Sequence, residues 1–363
     1  MSQKPIAVLG GGSGAHMMAV DLTDRGYPVH MGEHPRLEES FKPTLTKGAI
    51  EAVGIGPVGV FPIKQVSTDL ARIIEGVEWI NVAMSANGHE FFFKDLAPHL
   101  KPGQKVVIWA GDFGSLRLRK MLADQGRDKG VTIIEANTLP YGTRLMEPGK
   151  ICLLLVAGRV MVAALPGSQT GQAMEELKAI FPQVFAGKNV LEVAFNNPNP
   201  IVHPPGSLLN TGRIEFSGGD FYMYHEGITE SVAKVIREVY EESRRVARAL
   251  DFDMIQYKDG DFKTKCSIMG VEFEGPFDPC GVIGSILGPR SLKDRYVSED
   301  LPFGLVPRSQ LGKLVGVPTP VIDGLISLGC AACEENFWES GRTLESLGLA
   351  GLGKDEVIKL IEG

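Results

Sequence analysis

Cysteine is scarce in this chain, with five in 363 residues. That number does not make a disulfide framework, and being odd it leaves at least one thiol free. A reduced, cytoplasmic setting is the expectation. Cys330-Ala331-Ala332-Cys333 has the C-x-x-C spacing, but there is no second pair to complete a zinc site. It follows an apolar stretch, residues 321–328, and reads as a packed helical pair, so no metal site is expected. Basic charge is also short. Lys and Arg number 37 against 44 Asp and Glu, for a net charge of −7. A surface that grips nucleic acid needs the opposite balance, so that class of partner is excluded. Long apolar runs are missing too. The longest, residues 151–166, is broken by Gly158-Arg159 and falls below the roughly 20 residues of a membrane helix. It reads as two buried strands joined by a hairpin turn at that dipeptide. No basic region followed by an apolar one precedes the first strand, so no signal peptide is expected.

Glycine, by contrast, is abundant at 44 residues, and its placement at the start is informative. Ile6-Ala7-Val8-Leu9 runs into Gly10-Gly11-Gly12-Ser13-Gly14-Ala15, a strand emptying into a glycine turn that opens a helix. Gly10, Gly12 and Ala15 fit the G-x-G-x-x-G/A fingerprint of a dinucleotide site. The first glycine allows the tight turn, the second lets backbone approach a pyrophosphate, and the small third residue lets helix and strand pack. The helix N–H groups at Ser13, Gly14 and Ala15 then face the anion. A helical stretch, 16–25, and a second strand, 28–32, follow. That strand ends at Glu33, where a ribose-binding carboxylate belongs. Glu33 favours NAD. His34 and Arg36 come next and could embrace a 2′-phosphate, which keeps NADP as the alternative.

The length predicts two domains. From Pro5 to Gly187 strands alternate with helices, which predicts a doubly wound, mostly parallel α/β sheet. Within it, the strand 79–84 ends in Ser85-Ala86-Asn87-Gly88-His89, and such strand ends are where open α/β sheets bind ligands. Ser85 and His89 are therefore cofactor candidates. Beyond Gly187 the rhythm stops. A periodic helix over 229–250 carries Val232, Val235, Ile236, Val239 and Val246 on one face, with Glu241 and Arg245 one turn apart on the other. His225-Glu226 reads as a helix start. The expected organisation is a Rossmann domain, 1–187, and a mainly α-helical domain, 188–363.

Substrate chemistry should then lie in the second half. In Asn196-Asn197-Pro198-Asn199-Pro200-Ile201-Val202-His203-Pro204-Pro205 the prolines argue against a helix and leave His203 on a stiff extended loop. Histidine is suited to proton exchange near neutral pH; the other reading is a loop histidine bonded to a carbonyl. In Arg295-Tyr296-Val297-Ser298-Glu299-Asp300 the arginine offers a fork for a carboxylate. The acid five residues on could hold a histidine in its working tautomer. A solvated charge run is the alternative there.

With NPNPIVHPPGSLLN, EGIT, RYVSEDLPFGLVP, GVPTPVIDGL and GRTLESLGLAGL in order, the chain resembles the opine dehydrogenases of the octopine/nopaline family. The resemblance implies a Rossmann domain, a helical domain and a cleft between them. It implies a reaction in which an α-keto acid and an amine condense to an imine that reduced nicotinamide reduces. It makes His203 the acid/base group, Asp300 its partner and Arg295 an anchor for a carboxylate. Asn210, Arg144 and Arg213 are the further substrate candidates, the arginines because a product with two carboxylates needs more than one cation. His89 would lie near the nicotinamide. Asp112-Phe113 departs from the plainer Gly-Ala turn usual in the family, so the keto acid and the amine are left open. A homodimer is expected. The rivals are a ketopantoate- or 3-hydroxyacid-type carbonyl reductase, which would place a lysine at the centre, and an NAD-binding sensor without turnover.

Overall fold

In the computed structural model, which describes residues 3–363, the first half builds two sheets. The larger has eight strands, in the order Val184–Ala186, Val160–Leu165, Thr132–Ala136, Lys105–Trp109, Trp79–Val82, Ile6–Leu9, Val29–Gly32 and Gln65–Ser67. All neighbours are parallel except Val160–Leu165 against Thr132–Ala136. The central strands are continuous aliphatic runs, as a sheet covered on both faces requires. The helices Leu70–Ile74, His89–Leu96 and Gly114–Asp124 cover one face. The helices Ser13–Asp24 and Thr170–Ile180 lie in the core on the other.

The second sheet has no counterpart in the expected βαβ alternation. It joins Phe273–Glu274, Lys150–Ala157, Ala49–Gly54 and Gly59–Pro62, with Tyr141–Glu147 also paired to Lys150–Ala157. The expected hairpin at Gly158-Arg159 is therefore corrected. Lys150–Ala157 belongs to this sheet and Val160–Leu165 to the large one, so the dipeptide carries the chain between sheets. The hairpin partner of Lys150–Ala157 is instead Tyr141–Glu147, turning at Pro148-Gly149, where Gly149 has φ +81°. Both halves of the apolar run are buried, but by different layers.

After residue 187 the chain is mainly helical. Glu230–Ala249 is its longest helix, and Val232, Ile236, Val239 and Val246 lie in its buried face. Arg245 pairs with Glu238 at 3.0 Å and lies 4.0 Å from Glu242, which turns inward to cap the N–H groups of Val321 and Ile322. Residues 223–227 form a π-helical turn in place of the expected helix start at His225-Glu226. The two halves are sewn together by Phe273–Glu274, which pairs antiparallel with Val156 and Ala157. One disulfide, Cys266–Cys280, is formed, a departure from the reduced setting expected of so few cysteines. Cys152, Cys330 and Cys333 are free. No helix of the described residues is long and apolar enough to cross a membrane.

Candidate active site

A cleft of about 510 Å³ runs from the glycine turn of the first half to the His203 helix of the second. At one end are Gly11, Gly12, Ser13 and Gly14. Gly10 has φ +125°, and a Cβ there would lie 2.6 Å from the Ala83 carbonyl oxygen, so strand and turn can meet only through glycine. A Cβ on Gly12 would meet nothing within 4 Å, and no side chain caps the helix Ser13–Asp24. Its first N–H groups thus open onto space, which suits a pyrophosphate. Ala15 is buried beneath the turn. Glu33 forms the adjoining wall, its carboxylate accepting the His34 N–H at 2.7 Å. Burial raises its pKa, while the N–H groups of His34 and Gly11 pull it back. Ser85 also lines the cleft.

Three of the proposed cofactor contacts point elsewhere. His34 is buried with Nε2 on Asp95 at 2.8 Å and Nδ1 accepting the Arg36 N–H. Arg36 is exposed and lies over the Phe91 ring at 5.5 Å. His89 stacks on Phe93 and accepts from the Arg342 guanidinium through Nδ1 at 2.6 Å. Burial first, and Arg342 second, hold its pKa well below 6.5. None of the three lines the cleft, and His89 instead ties the C-terminal segment to the first half.

At the other end, His203 sits in the helix Asn199–Leu208, not on an extended loop. Pro200 falls in the first turn, where its missing N–H costs nothing. Pro204 and Pro205 remove two later bonds, which burial of residues 200–207 offsets. The helix entry is fixed by Asn197, whose Oδ1 caps the Asn199 N–H. Arg308 adds to this by donating to the carbonyls of Ala194, Phe195 and Asn197 at 3.0–3.2 Å. His203 Nδ1 lies 2.8 Å from Asp300 Oδ2 and Nε2 lies 2.7 Å from the Tyr224 hydroxyl. The ring stacks on Tyr296 at 3.9 Å with parallel planes.

Burial governs the protons here. It lowers the His203 pKa well below 6.5, with Arg295 and Arg144 adding to this and Glu299 opposing it. It raises that of Asp300 to about 8, against Arg295 and Arg308. Both shifts favour neutral side chains, so the two buried partners hold one proton between them across the 2.8 Å contact. Asp112 lies behind, buried, accepting from Asn197 Nδ2 at 2.7 Å. Burial, and then the Asp300 charge, raise its pKa. Ala110, Asp112 and Phe113 all have positive φ. That turn is held by Glu135, which accepts the N–H groups of Phe113 and Ser115, and by Arg342 on the Gly111 carbonyl.

Arg144 and Arg295 line the cleft and also a second cavity of about 850 Å³ that shares Leu154, Ile286 and Tyr296 with it. Arg213 and Asn210 are outside both. Arg213 pairs with Glu226 at 3.2 Å on the surface, and Asn210 donates to the carbonyls of Gly206 and Gly227. The sequence reading missed Tyr224, Tyr296 and Glu299. Glu299 is buried in the cleft wall, accepts the Ala86 N–H at 2.6 Å and stands 3.7 Å from Arg295. Tyr296 and Glu299 lie in the RYVSED segment already singled out. Tyr224, 21 residues from His203 in sequence, carried no local signal.

A glycine turn at a strand end, facing a buried His–Asp pair across the seam between the two halves, suits a dinucleotide-dependent oxidoreductase. The comparisons narrow the class. Residues 186–333 match the family described as "NAD/NADP octopine/nopaline dehydrogenase, alpha-helical domain". The chain is 32% identical over 357 residues, 97% of each protein, to the opine dehydrogenase of Arthrobacter sp. (strain 1C). It is 25% identical, over 99% of each, to the protein ocs of Agrobacterium tumefaciens (strain Ach5). Among solved structures, an octopine dehydrogenase with NADH and pyruvate superposes with a TM-score of 0.73 at 19% identity, covering 99% of this chain and 98% of that one. The chain belongs to the opine dehydrogenase family of NAD(P)-dependent oxidoreductases.

Proposed function

We propose that the protein condenses an α-keto acid with the amino group of an amino acid and reduces the imine to a secondary amine carrying two carboxylates. The observation that carries this reading is the cleft itself. It joins the open glycine turn, the buried His203–Asp300 pair and two guanidiniums, Arg144 and Arg295. The glycine turn and Glu33 would hold a nicotinamide dinucleotide, which supplies the hydride when bound. NAD is the preferred form, since Glu33 walls the site while His34 and Arg36 are engaged outside it. His203 exchanges protons with the substrate, Asp300 orients it and holds the proton it draws on, and the arginines take the carboxylates. No lysine lines the cleft among the described residues, which weighs against a ketopantoate-type carbonyl reductase.

The division after Gly187 into cofactor and substrate domains belongs to the same reading, as does a cytoplasmic location, for which the three free thiols speak and against which the Cys266–Cys280 disulfide weighs. A homodimer belongs to the same reading and is tested by light scattering. The activity is tested by following NADH absorbance with pyruvate alone and with pyruvate plus an amino acid, and by weighing the product. Amine-dependent oxidation and a dicarboxylate amine are expected. A hydroxy acid as sole product, formed at the same rate without amine, overturns the reading.

A further inference from the structure

Both nitrogens of the His203 ring are taken: Nδ1 by Asp300 at 2.8 Å, Nε2 by the Tyr224 hydroxyl at 2.7 Å. The ring itself also borders the cleft, but with both nitrogens engaged a proton leaving Nε2 meets the Tyr224 oxygen first. Tyr224 lines the cleft, and it belongs to the π-helical turn Met223–Gly227, while Asp300 opens a second one, Asp300–Leu305. Such turns are rare and recur at functional sites. We propose that Tyr224 is the cleft-facing end of a proton line running Asp300–His203–Tyr224, and that every proton the pair exchanges with substrate passes through the Tyr224 oxygen.

The line is built to run both ways. Burial raises the Tyr224 pKa well above 10, so the phenol keeps its proton as a donor. Tyr296, Arg295, Arg144 and Glu299 are the other titratable groups facing this end of the line. With the shared proton on Asp300, Asp300 O–H donates to His203 Nδ1 and Nε2–H donates to the Tyr224 oxygen, which leaves the phenolic O–H to be shared between the cleft and the Tyr296 side chain.

The inference rests on the imine-forming reaction proposed above, whose proton balance it explains. The incoming ammonium must lose a proton before its nitrogen lone pair can attack the keto carbon. The carbinolamine that forms must gain one as its C–O bond breaks, the electron pair leaving with oxygen as water while nitrogen forms the C=N bond. Summed, an ammonium and a ketone become an iminium and water with no net proton exchanged. Tyr224 gives its proton to the leaving oxygen and is refilled from Nε2, and Nδ1 is refilled from Asp300. The next ammonium returns the proton by the reverse route. A line sealed from solvent serves that cycle, and His203 and Asp300 are each 1% exposed.

The test compares Tyr224→Phe with the unaltered enzyme, using NADH, pyruvate and an amino acid. Amine-dependent turnover by the unaltered enzyme reports on the proposed reaction; the ratio between the two proteins reports on the line. The variant is expected to bind NADH normally and melt cooperatively while kcat falls by roughly 100-fold at unchanged keto-acid KM. Its kcat solvent isotope effect should lose the curved dependence on deuterium fraction that several moving protons give. Should the variant fail to fold, 3-fluorotyrosine at position 224 keeps the ring and hydroxyl and acidifies the phenol. The kcat–pH profile should then move with it, as it would not for a tyrosine that only packs. Near-normal or faster turnover by Tyr224→Phe, or an unmoved profile with the fluorinated residue, overturns the inference.

Discussion

Replacing Asp300 by Asn changes the pH dependence of stability in a direction that the buried pair dictates. In the unfolded chain the aspartate is ionised above about 3.8 and the histidine is neutral above about 6.5. In the folded protein the pair holds one proton up to about 8, the raised value of Asp300. Between 4 and 6.5 folded and unfolded chains therefore bind one proton each at these two sites, and the pair contributes no slope. Between 6.5 and 8 the folded state binds one more. A raised folded pKa gives stability that is lost as pH rises, at a limit of about 1.36 kcal/mol per pH unit, or roughly 2 kcal/mol across that window.

In Asp300→Asn only the histidine is left to titrate. Burial keeps it neutral in the folded state while the unfolded chain protonates below 6.5, so stability is lost as pH falls, again by up to about 1.4 kcal/mol per unit. The variant's stability minus that of the unaltered protein should rise steadily from pH 4 to 8. Urea midpoints measured for both proteins at half-unit intervals check this, and the subtraction cancels the titrating groups that Asp300 does not touch; Asp112 and Glu299, which it does, are buried neighbours of the pair. Turnover should move the other way, down by roughly 100- to 10,000-fold, or about 2.7–5.4 kcal/mol of barrier. Two parallel stability curves would refute the shared proton.

Glu33→Ala should weaken NADH binding and spare or improve NADPH use, measured as paired KM values; a strong NADPH preference in the unaltered enzyme would count against Glu33 as a ribose ligand. Arg295→Ala should raise the keto-acid KM at least tenfold, roughly one charge-assisted bond, with a smaller change in kcat, read from initial rates. Arg308→Met leaves the buried Phe195 and Asn197 carbonyls without a donor, and Ala194 with the Asn197 N–H alone; it should cost roughly 2–6 kcal/mol of stability, visible in the melting temperature.

What could be read from sequence was whatever is written locally. The glycine turn is local, because the fingerprint, the strand and the helix are contiguous, and the helix expected over 16–25 forms as Ser13–Asp24, its first turn already inside the glycine segment. The alternation of buried strands and helices is also local, and it predicted the large sheet. The second sheet was not legible, since its strands at 49–54, 59–62, 141–147 and 150–157 are drawn from distant places and one apolar run feeds two sheets. The His203 helix was hidden by proline rules that describe the chain before packing. His34, Arg36 and His89 were placed by proximity along the chain, whereas Asp95, Phe91 and Arg342, all remote in sequence, decide where those side chains point.

The same long-range partners explain why the site lies at the seam. Each half supplies groups that the other completes. Glu299 from the helical half accepts the Ala86 N–H of the first half, and Asn197 reaches back to Asp112. Arg342, near the C-terminus, holds Gly111 and His89. These contacts are buried and charge-assisted, so misplacing one half leaves unpaired groups in the interior, each costing about 1–3 kcal/mol or more. The seam is thereby held in one register. That register sets the glycine turn opposite His203, and a hydride donor bound at the first would face the proton line ending at the second.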